Sequence, residues 1–549
     1  MHGRVKVKTS AEQQEEKRKE RQSKLKIFRK VINAFFNKVS KEEYDNDGLE
    51  ITKQILASNS DYSSMWNYRK KCFANSEKPK SEIEAMLNSE LTFIESCLRN
   101  NPKSYGCWHQ RCFVLLKLKT PDWKRELQLC NLFLQFDDRN FHCWDYRRFV
   151  CSHSNHPLKD EIDYTNKLIE SNFSNYSSWH YRSKLLPEVY PDSSVGNKIA
   201  ERKLLEELEL VQNAFFTDPN DQSAWFYHKW LLGRGHPMQS ILSLHVSRFP
   251  STLTCTLRKP IKEEDCQQAL VRVNGTVISG KWKPHSSACY MNTWTFTPHE
   301  KIGTGLISVS CQVDGVETQI TMEIDDNEAL CCAKNTIETF CESSSDAKLL
   351  VLEEELNSCR ELNELEPDNK WVVLTLVFLM KAIDPIRFFS EMKELLKSLC
   401  IIDSKRSCYY QDLHSKYAVE NWIICADLQS RKADLRNKGI TRLCHVEFLV
   451  GLTHLDLSHN KLKALGSTFL VFPWLQELKA DDNEITEIDG LKALPSLITL
   501  SLNSNALSSV ELLSCLSTCP NLQHVSLKSN PVSSCEKDYF KNFPFRLTL

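Results

Sequence analysis

The side chains best suited to chemistry are few and scattered. His142, Cys143, Cys151, His153 and His156 supply imidazole and thiol donors of the kind that bind zinc. Cys143 and Cys151 also occupy recurring positions where a small apolar group packs, and His153-Ser154-Asn155-His156 reads as a loop, so packing and solvation compete with a metal site there. His445-x-Glu447 lacks the Pro-Cys-x-x-Cys partner that deaminase chemistry needs. There is no Gly-x-x-x-x-Gly-Lys loop to cradle phosphates and no Gly-x-Ser-x-Gly turn to expose a nucleophile. Taken alone, these residues describe a scaffold without a self-contained catalytic centre.

The elements that would position any site are announced by a five-fold tryptophan repeat. It reads Asn59…Trp66-Asn67-Tyr68-Arg69, Asn101…Trp108-His109-Gln110-Arg111, Asp137…Trp144-Asp145-Tyr146-Arg147, Asn172…Trp179-His180-Tyr181-Arg182 and Asp218…Trp225-Phe226-Tyr227-His228, with the tryptophans 42, 36, 35 and 46 residues apart. Periods in this range mark stacked supersecondary units. Asn or Asp stands seven residues before every Trp, where it can close one helix and open the next. Ser104, Asn140, Asn175 and Asp221 are suited to cap the second helix of their units. Tyr105, Phe141 and Tyr176 precede their tryptophans by three residues, a spacing that puts both on one helix face. Each unit is expected to be a helical hairpin, and the hairpins to stack into an α-α superhelix with the tryptophans and Arg69, Arg111, Arg147 and Arg182 as its repeating core. The aromatic stripe reads as core, with a lipid-binding groove as the sharper alternative.

Along the chain, residues 1–240 are assigned to these repeats. Residues 4–30 hold eleven Lys or Arg against four Glu, a solvated first helix or a surface for anionic partners. Period-2 patterns then take over, with turn pairs at Asn274-Gly275 and Asp314-Gly315, and residues 241–345 are read as an inserted immunoglobulin-like β-sandwich. Helical hairpins return over 346–430, with Pro367 and Trp371 in a degenerate sixth copy and 401–413 as a worn seventh. From 431 to 549 the spacing Leu452-x-x-Leu455-x-Leu457-x-x-Asn460-x-Leu462 recurs, its asparagines 23, 22 and 25 residues apart. That is a leucine-rich repeat domain, one strand per copy, serving as a concave binding face or as a packing module.

Composition narrows the setting. A formal net charge of −1 over 549 residues gives no field for nucleic acid. The 22 cysteines form no Cys-x-x-Cys and no secretory signal is seen, which points to reduced thiols in the cytosol. The longest apolar run, Trp371 to Met380, is too short to span a bilayer. No lipidation motif is expected at Met1-His2-Gly3 or at the end Arg546-Leu547-Thr548-Leu549.

The pattern Asn/Asp-x-x-x-Tyr-x-x-Trp-x-x-Arg resembles the repeat of protein prenyltransferase α subunits. The first copy departs from it at Ser63 and the fifth at His228. With the inserted sandwich and the leucine-rich end, the whole chain resembles the type II (Rab geranylgeranyltransferase) α-subunit family. The resemblance implies a heterodimer in which a β subunit holds zinc and the lipid pocket. It also implies transfer of geranylgeranyl from geranylgeranyl diphosphate to C-terminal cysteines of Rab GTPases presented by a Rab escort protein. By the same resemblance, Lys103 and Tyr105 in Asn101-Pro102-Lys103-Ser104-Tyr105 lie near the diphosphate of the bound lipid. His2 could then reach the partner's zinc as a ligand. The competing reading is a non-catalytic repeat adaptor that only binds proteins.

Overall fold

The structure, a computed structural model, describes residues 11–192, 199–233, 240–248, 251–284, 290–313, 316–324, 328–332, 340, 345–534 and 543–549. Two compact units divide the chain, Met1–Val189 and Tyr190–Leu549.

The first unit is helical: α1 (Ala11–Ser40), α2 (Asn46–Leu56), α3 (Ser63–Ala74), α4 (Lys80–Asn100), α5 (Tyr105–Lys117), α6 (Trp123–Phe136), α7 (Phe141–Ser154), α8 (Leu158–Ser171) and α9 (Tyr176–Val189). Helices adjacent in sequence pack as hairpins, and α5 packs on both α3 and α7, so successive hairpins stack. The tryptophans explain the repeat. Trp66, Trp108, Trp144 and Trp179 are buried, and each indole N–H donates to the carbonyl six residues earlier (Ser60, Pro102, Asp138 and Phe173) at 2.7–2.9 Å. One side chain thus fills the core and satisfies a turn carbonyl.

In the first three units the arginine reaches forward to the next. Arg111 Nε and Nη2 donate to both oxygens of Glu126 on α6 at 2.6 and 2.7 Å, and Arg147 grips Glu161 on α8 at 2.7 and 2.6 Å. Arg69 makes the same two-pronged pair with Glu90 on α4. The remaining donors meet Thr52, the carbonyl of Leu91 and Asn131. Every one of these six charged residues is buried. Arg182 is buried too and donates to Thr165 Oγ1 at 3.1 Å.

In the second unit, α10 (Glu201–Thr217) and α11 (Gln222–Leu232) form the fifth hairpin, and Trp225 Nε1 again donates to the carbonyl six residues back, Pro219, at 2.9 Å. Strands follow: β1 (Ile241–Arg248), β2 (Ser251–Ile261), β3 (Leu270–Val273), β4 (Thr276–Val277), β5 (Gly280–Pro284), β6 (Met291–Pro298), β7 (Gly305–Val313), β8 (Val316–Ile324) and β9 (Glu328–Cys332). They make two antiparallel sheets, ordered β5-β6-β2-β1-β9 and β4-β3-β7-β8, with one shared core around Leu244, Leu253, Trp294, Ile307 and Ile324. Asn274 and Gly275 both adopt positive φ (50° and 82°), the geometry a two-residue hairpin needs. The Asp314-Gly315 pair lies outside the described residues.

Helices then resume as α12 (Asp346–Leu365), α13 (Lys370–Ile383), α14 (Phe389–Ile402) and α15 (Ser407–Cys425). His228, standing where the arginine is expected, sits 2.8 Å from Glu355 on α12, so the forward link spans the intervening strands. A further hairpin, α12 with α13, stands where a sixth copy is expected, but its cap is in a different register from the expected one. Asn369 caps α13 through the Trp371 N–H, and four residues after that cap, where the repeat tryptophan belongs, stands Val373. Trp371 therefore occupies another place on the helix. Where a seventh copy is expected, Tyr410 stands in the tryptophan's position, buried and donating to Asp403 Oδ2 at 3.0 Å.

The last segment is a parallel sheet in simple sequential order: β10 (Lys432–Asp434), β11 (His454–Asp456), β12 (Glu477–Lys479), β13 (Thr499–Ser501), β14 (His524–Ser526) and β15 (Arg546–Thr548). Asn460, Asn483, Asn505 and Asn530 each donate to a carbonyl of the preceding copy and accept one of its N–H groups, Asn505 from Ile485 at 3.0 Å and to Ala480 at 2.9 Å. Among the described residues no helix is long and apolar enough to cross a membrane.

Arg111→Met leaves Glu126 buried beside Tyr146 alone, and is expected to cost about 3–5 kcal/mol. A urea melt of the full chain followed by tryptophan fluorescence checks this; a loss below about 1 kcal/mol would show the pair to be incidental. Glu420, buried on α15, gives an acid-side test. Burial opposes its charge, but hydrogen bonds from His445 and Lys381 hold its carboxyl at about 2, below the ordinary 4.5. A depressed carboxyl stabilises the fold above pH 4.5, and that stability is lost as the pH falls towards 2. Wild type and Glu420→Gln should therefore differ at neutral pH and converge through that window in near-ultraviolet circular dichroism.

Candidate functional site

The turn Asn101–Ser104 joins α4 to α5 and is held from both sides. The Asn101 side chain accepts from the Lys103 N–H at 3.3 Å and donates to Asp61 in the unit before it at 3.0 Å. Ser104 caps α5 through the Cys107 N–H and donates to the Ser60 carbonyl at 2.9 Å. From the following unit, Asn140 donates to the Pro102 carbonyl at 3.0 Å while capping α7. The backbone of this turn is therefore fixed, and its two outward side chains are Lys103 and Tyr105.

Lys103 is 66% exposed, with its ammonium 3.1 Å from Asp137 Oδ2. Tyr105 is 70% exposed and begins α5. Its ring meets His142 edge-on, centroids 4.2 Å apart, and lies 6.2 Å from Phe141. The expected shared face with the tryptophans does not make these aromatics core: Tyr105, Phe141 and Tyr176 each occupy the first helical residue and turn outward, while the tryptophans lie buried. His142 is buried, and burial pushes its imidazole below 6.5, with the Lys103 charge a smaller contribution in the same direction. The result is an exposed cation on a fixed turn, beside an exposed phenol that packs on a neutral ring. Such a surface can take an anionic group with an apolar body.

The five donors considered for zinc do not converge. His142 packs on Phe141 and Tyr105, and the Cys143 thiol points at the Cys130 carbonyl. His153 packs against Phe149 and Trp123, and His156 lies 3.3 Å from Glu161, which already binds Arg147. Burial pushes the Cys151 thiol up to about 12. Among the described residues no group of three His, Cys, Asp or Glu could hold a metal ion. His2 lies outside the described residues. Sequence reasoning overlooked Asp137 as the partner of Lys103. The signal was there, because Asp137 is the repeat's turn residue one unit on from Asn101, with a carboxylate in place of the amide.

Five segments, 45–76, 87–118, 123–154, 158–188 and 204–235, match the protein prenyltransferase alpha subunit repeat, and each contains one of the five tryptophans. The geranylgeranyl transferase type-2 subunit alpha of Sus scrofa is 44% identical over 548 residues, covering 97% of this chain and 96% of that one. The chain belongs to the geranylgeranyl transferase type-2 alpha-subunit family. The Homo sapiens member is 43% identical over 546 residues, covering 97% and 96%. The Dictyostelium discoideum member is 41% identical over 236 residues, covering 42% of this chain but 75% of its own. That member is a shorter protein, so the family accommodates chains without the full set of elements seen here.

Asn140→Ala removes a helix cap and the hold on Pro102 together. It should lower stability by about 1–2 kcal/mol and speed hydrogen exchange at the Lys103 and Ser104 amides, read by mass spectrometry. Unchanged exchange there would mean that the turn is rigid without its neighbour.

Proposed function

We propose that the chain is the α subunit of a cytosolic, heterodimeric Rab geranylgeranyltransferase. In this reading it works with a prenyltransferase β subunit to transfer geranylgeranyl from geranylgeranyl diphosphate to C-terminal cysteines of Rab GTPases presented by a Rab escort protein. The observation that carries this is similarity along essentially the whole chain to relatives bearing the type-2 alpha name. The same reading assigns the strands of 241–345 to an immunoglobulin-like sandwich and residues 431–549 to leucine-rich repeats, with helical hairpins over 1–240 and 346–430.

Lys103 and Tyr105 would face the diphosphate. Ionising an allylic diphosphate builds negative charge on the leaving oxygens, and an ammonium already in place favours that state over the ground state. Lys103 is suited to this because its pair with Asp137 is a surface pair, worth about 0–1 kcal/mol. The cation can turn to a stronger anion at little cost. Tyr105 presents an exposed phenol for the same group. The zinc assigned to the partner would supply a deprotonated acceptor thiol. Within this reading, His2 is a candidate ligand to that zinc, and removing residues 1–8 should change the metal's absorption-edge spectrum in the heterodimer.

The test is reconstitution with a β subunit, escort protein and Rab. Lys103→Ala should lower single-turnover transfer by roughly a hundredfold while leaving subunit association within a factor of about two. Equal turnover for variant and wild type would favour an adaptor that binds without contributing to the chemistry.

A further inference from the structure

Although the chain as a whole carries a formal charge of −1, the second unit gathers cations around one cleft. A cavity of about 810 Å³ opens where α11, β2, α12, α13, α15 and the loop after β10 meet. Among the described residues, Lys229, Arg258, Lys348, Lys381, Lys416 and Arg442 line it, with three carboxylates, Asp412, Glu420 and Glu447.

Those carboxylates are heavily shared. Glu420 takes Lys381 at 2.6 Å, His445 at 3.0 Å and Lys416 at 3.8 Å. Glu447 is 3.4 Å from the same histidine, and Arg442 stands 3.8 Å from Asp412. Lys229 contacts the Tyr409 hydroxyl at 3.1 Å and lies over the Phe378 ring, 4.9 Å from its centroid. Among the described lining residues the cations outnumber the carboxylates, and low-dielectric walls focus their field on whatever enters. Its volume lies within the range typical of small-molecule sites. The cations come from separate elements and converge, whereas an extended acidic peptide would need them spread along a stripe.

A second, smaller cavity of about 270 Å³ adjoins it and shares Lys229, Phe378 and Tyr409. Trp225, Phe226 and Trp371 line this annex. An apolar or flat group attached to an anion would find room there.

We propose that this cleft is a binding site for a compact polyanion, a molecule carrying two or more phosphate groups, separate from the surface at Lys103. The phosphates would sit among Lys229, Lys416 and Arg442: Lys229 meets a hydroxyl, and Lys416 and Arg442 stand 3.8 Å from their carboxylates. The source of such a group is either a soluble polyphosphorylated molecule or the headgroup of a phosphoinositide, and the recognition chemistry is the same.

Calorimetry on the full-length chain tests the site with inorganic pyrophosphate and inositol hexakisphosphate as soluble probes. Sedimentation with phosphatidylcholine vesicles, with and without phosphatidylinositol bisphosphate, tests the headgroup. Saturable binding is expected for at least one probe. It should weaken about tenfold for each of Lys229→Gln and Arg442→Gln, the effect of one lost charged hydrogen bond. Lys405→Gln, on the exposed turn before α15, should leave it unchanged. Binding of a soluble probe alone would identify a free ligand, and binding of phosphoinositide vesicles alone a headgroup; either supports the site. No saturable binding by any probe, or binding that ignores Lys229→Gln and Arg442→Gln while both variants keep the wild-type circular dichroism and melting temperature, overturns it. If either substitution unfolds the chain, Lys416→Gln takes its place with the same two outcomes.

Discussion

The helical array depends on one buried interaction, an arginine from the second helix of a unit paired with a glutamate from the first helix of the next. Burying two such charges is costly, and the pair is sustained only because both prongs of the guanidinium meet both carboxylate oxygens and the remaining donor finds a carbonyl or side-chain oxygen. Arg111 illustrates it: Glu126, the Leu91 carbonyl and the Tyr146 hydroxyl surround the guanidinium. Because the geometry is exacting, it fixes the register of each hairpin on its neighbour far better than apolar contact would. His228 and Glu355 stand 2.8 Å apart at the corresponding place, with the nine described strands between them in sequence.

That rigidity is what gives the turns their chemical possibilities. With the tryptophan N–H holding the turn carbonyl and Asn140 holding it again from the next unit, the backbone at Pro102 has little freedom. Lys103 and Tyr105 project from a platform whose position is set by the core rather than by the loop itself. A lysine on a mobile loop would have to be ordered as charge develops, and its contribution to a transition state would shrink accordingly. Here only the side chain needs to move.

The parts of this structure legible in the sequence are the local ones. Tryptophan, turn Asn or Asp and helix cap lie within seven residues of one another, so their spacing recurs undisturbed. The asparagines of the parallel sheet recur for the same reason. The glutamate partners were not legible, because Glu90, Glu126 and Glu161 stand 21, 15 and 14 residues after their arginines, on a different helix and at no constant spacing. Trp371 misled by identity: a tryptophan near a proline suggested the repeat position, whereas the cap at Asn369 puts Val373 there. At the candidate site, residue types were visible but their surroundings were not. Nothing local to Tyr105 indicates that His142 from the next hairpin lies beneath it. The cationic cleft of the second unit draws on residues from 229 to 442, a separation no motif spans.

The central claim is that this array of paired helices exists to hold a second subunit, to which it lends a cation. Co-expression of the full chain with a prenyltransferase β subunit, followed by size-exclusion chromatography with light scattering, tests it most directly. The account predicts a stable one-to-one complex that survives dilution to nanomolar concentration and contains zinc. A monomer that leaves the β subunit unbound under the same conditions would contradict it.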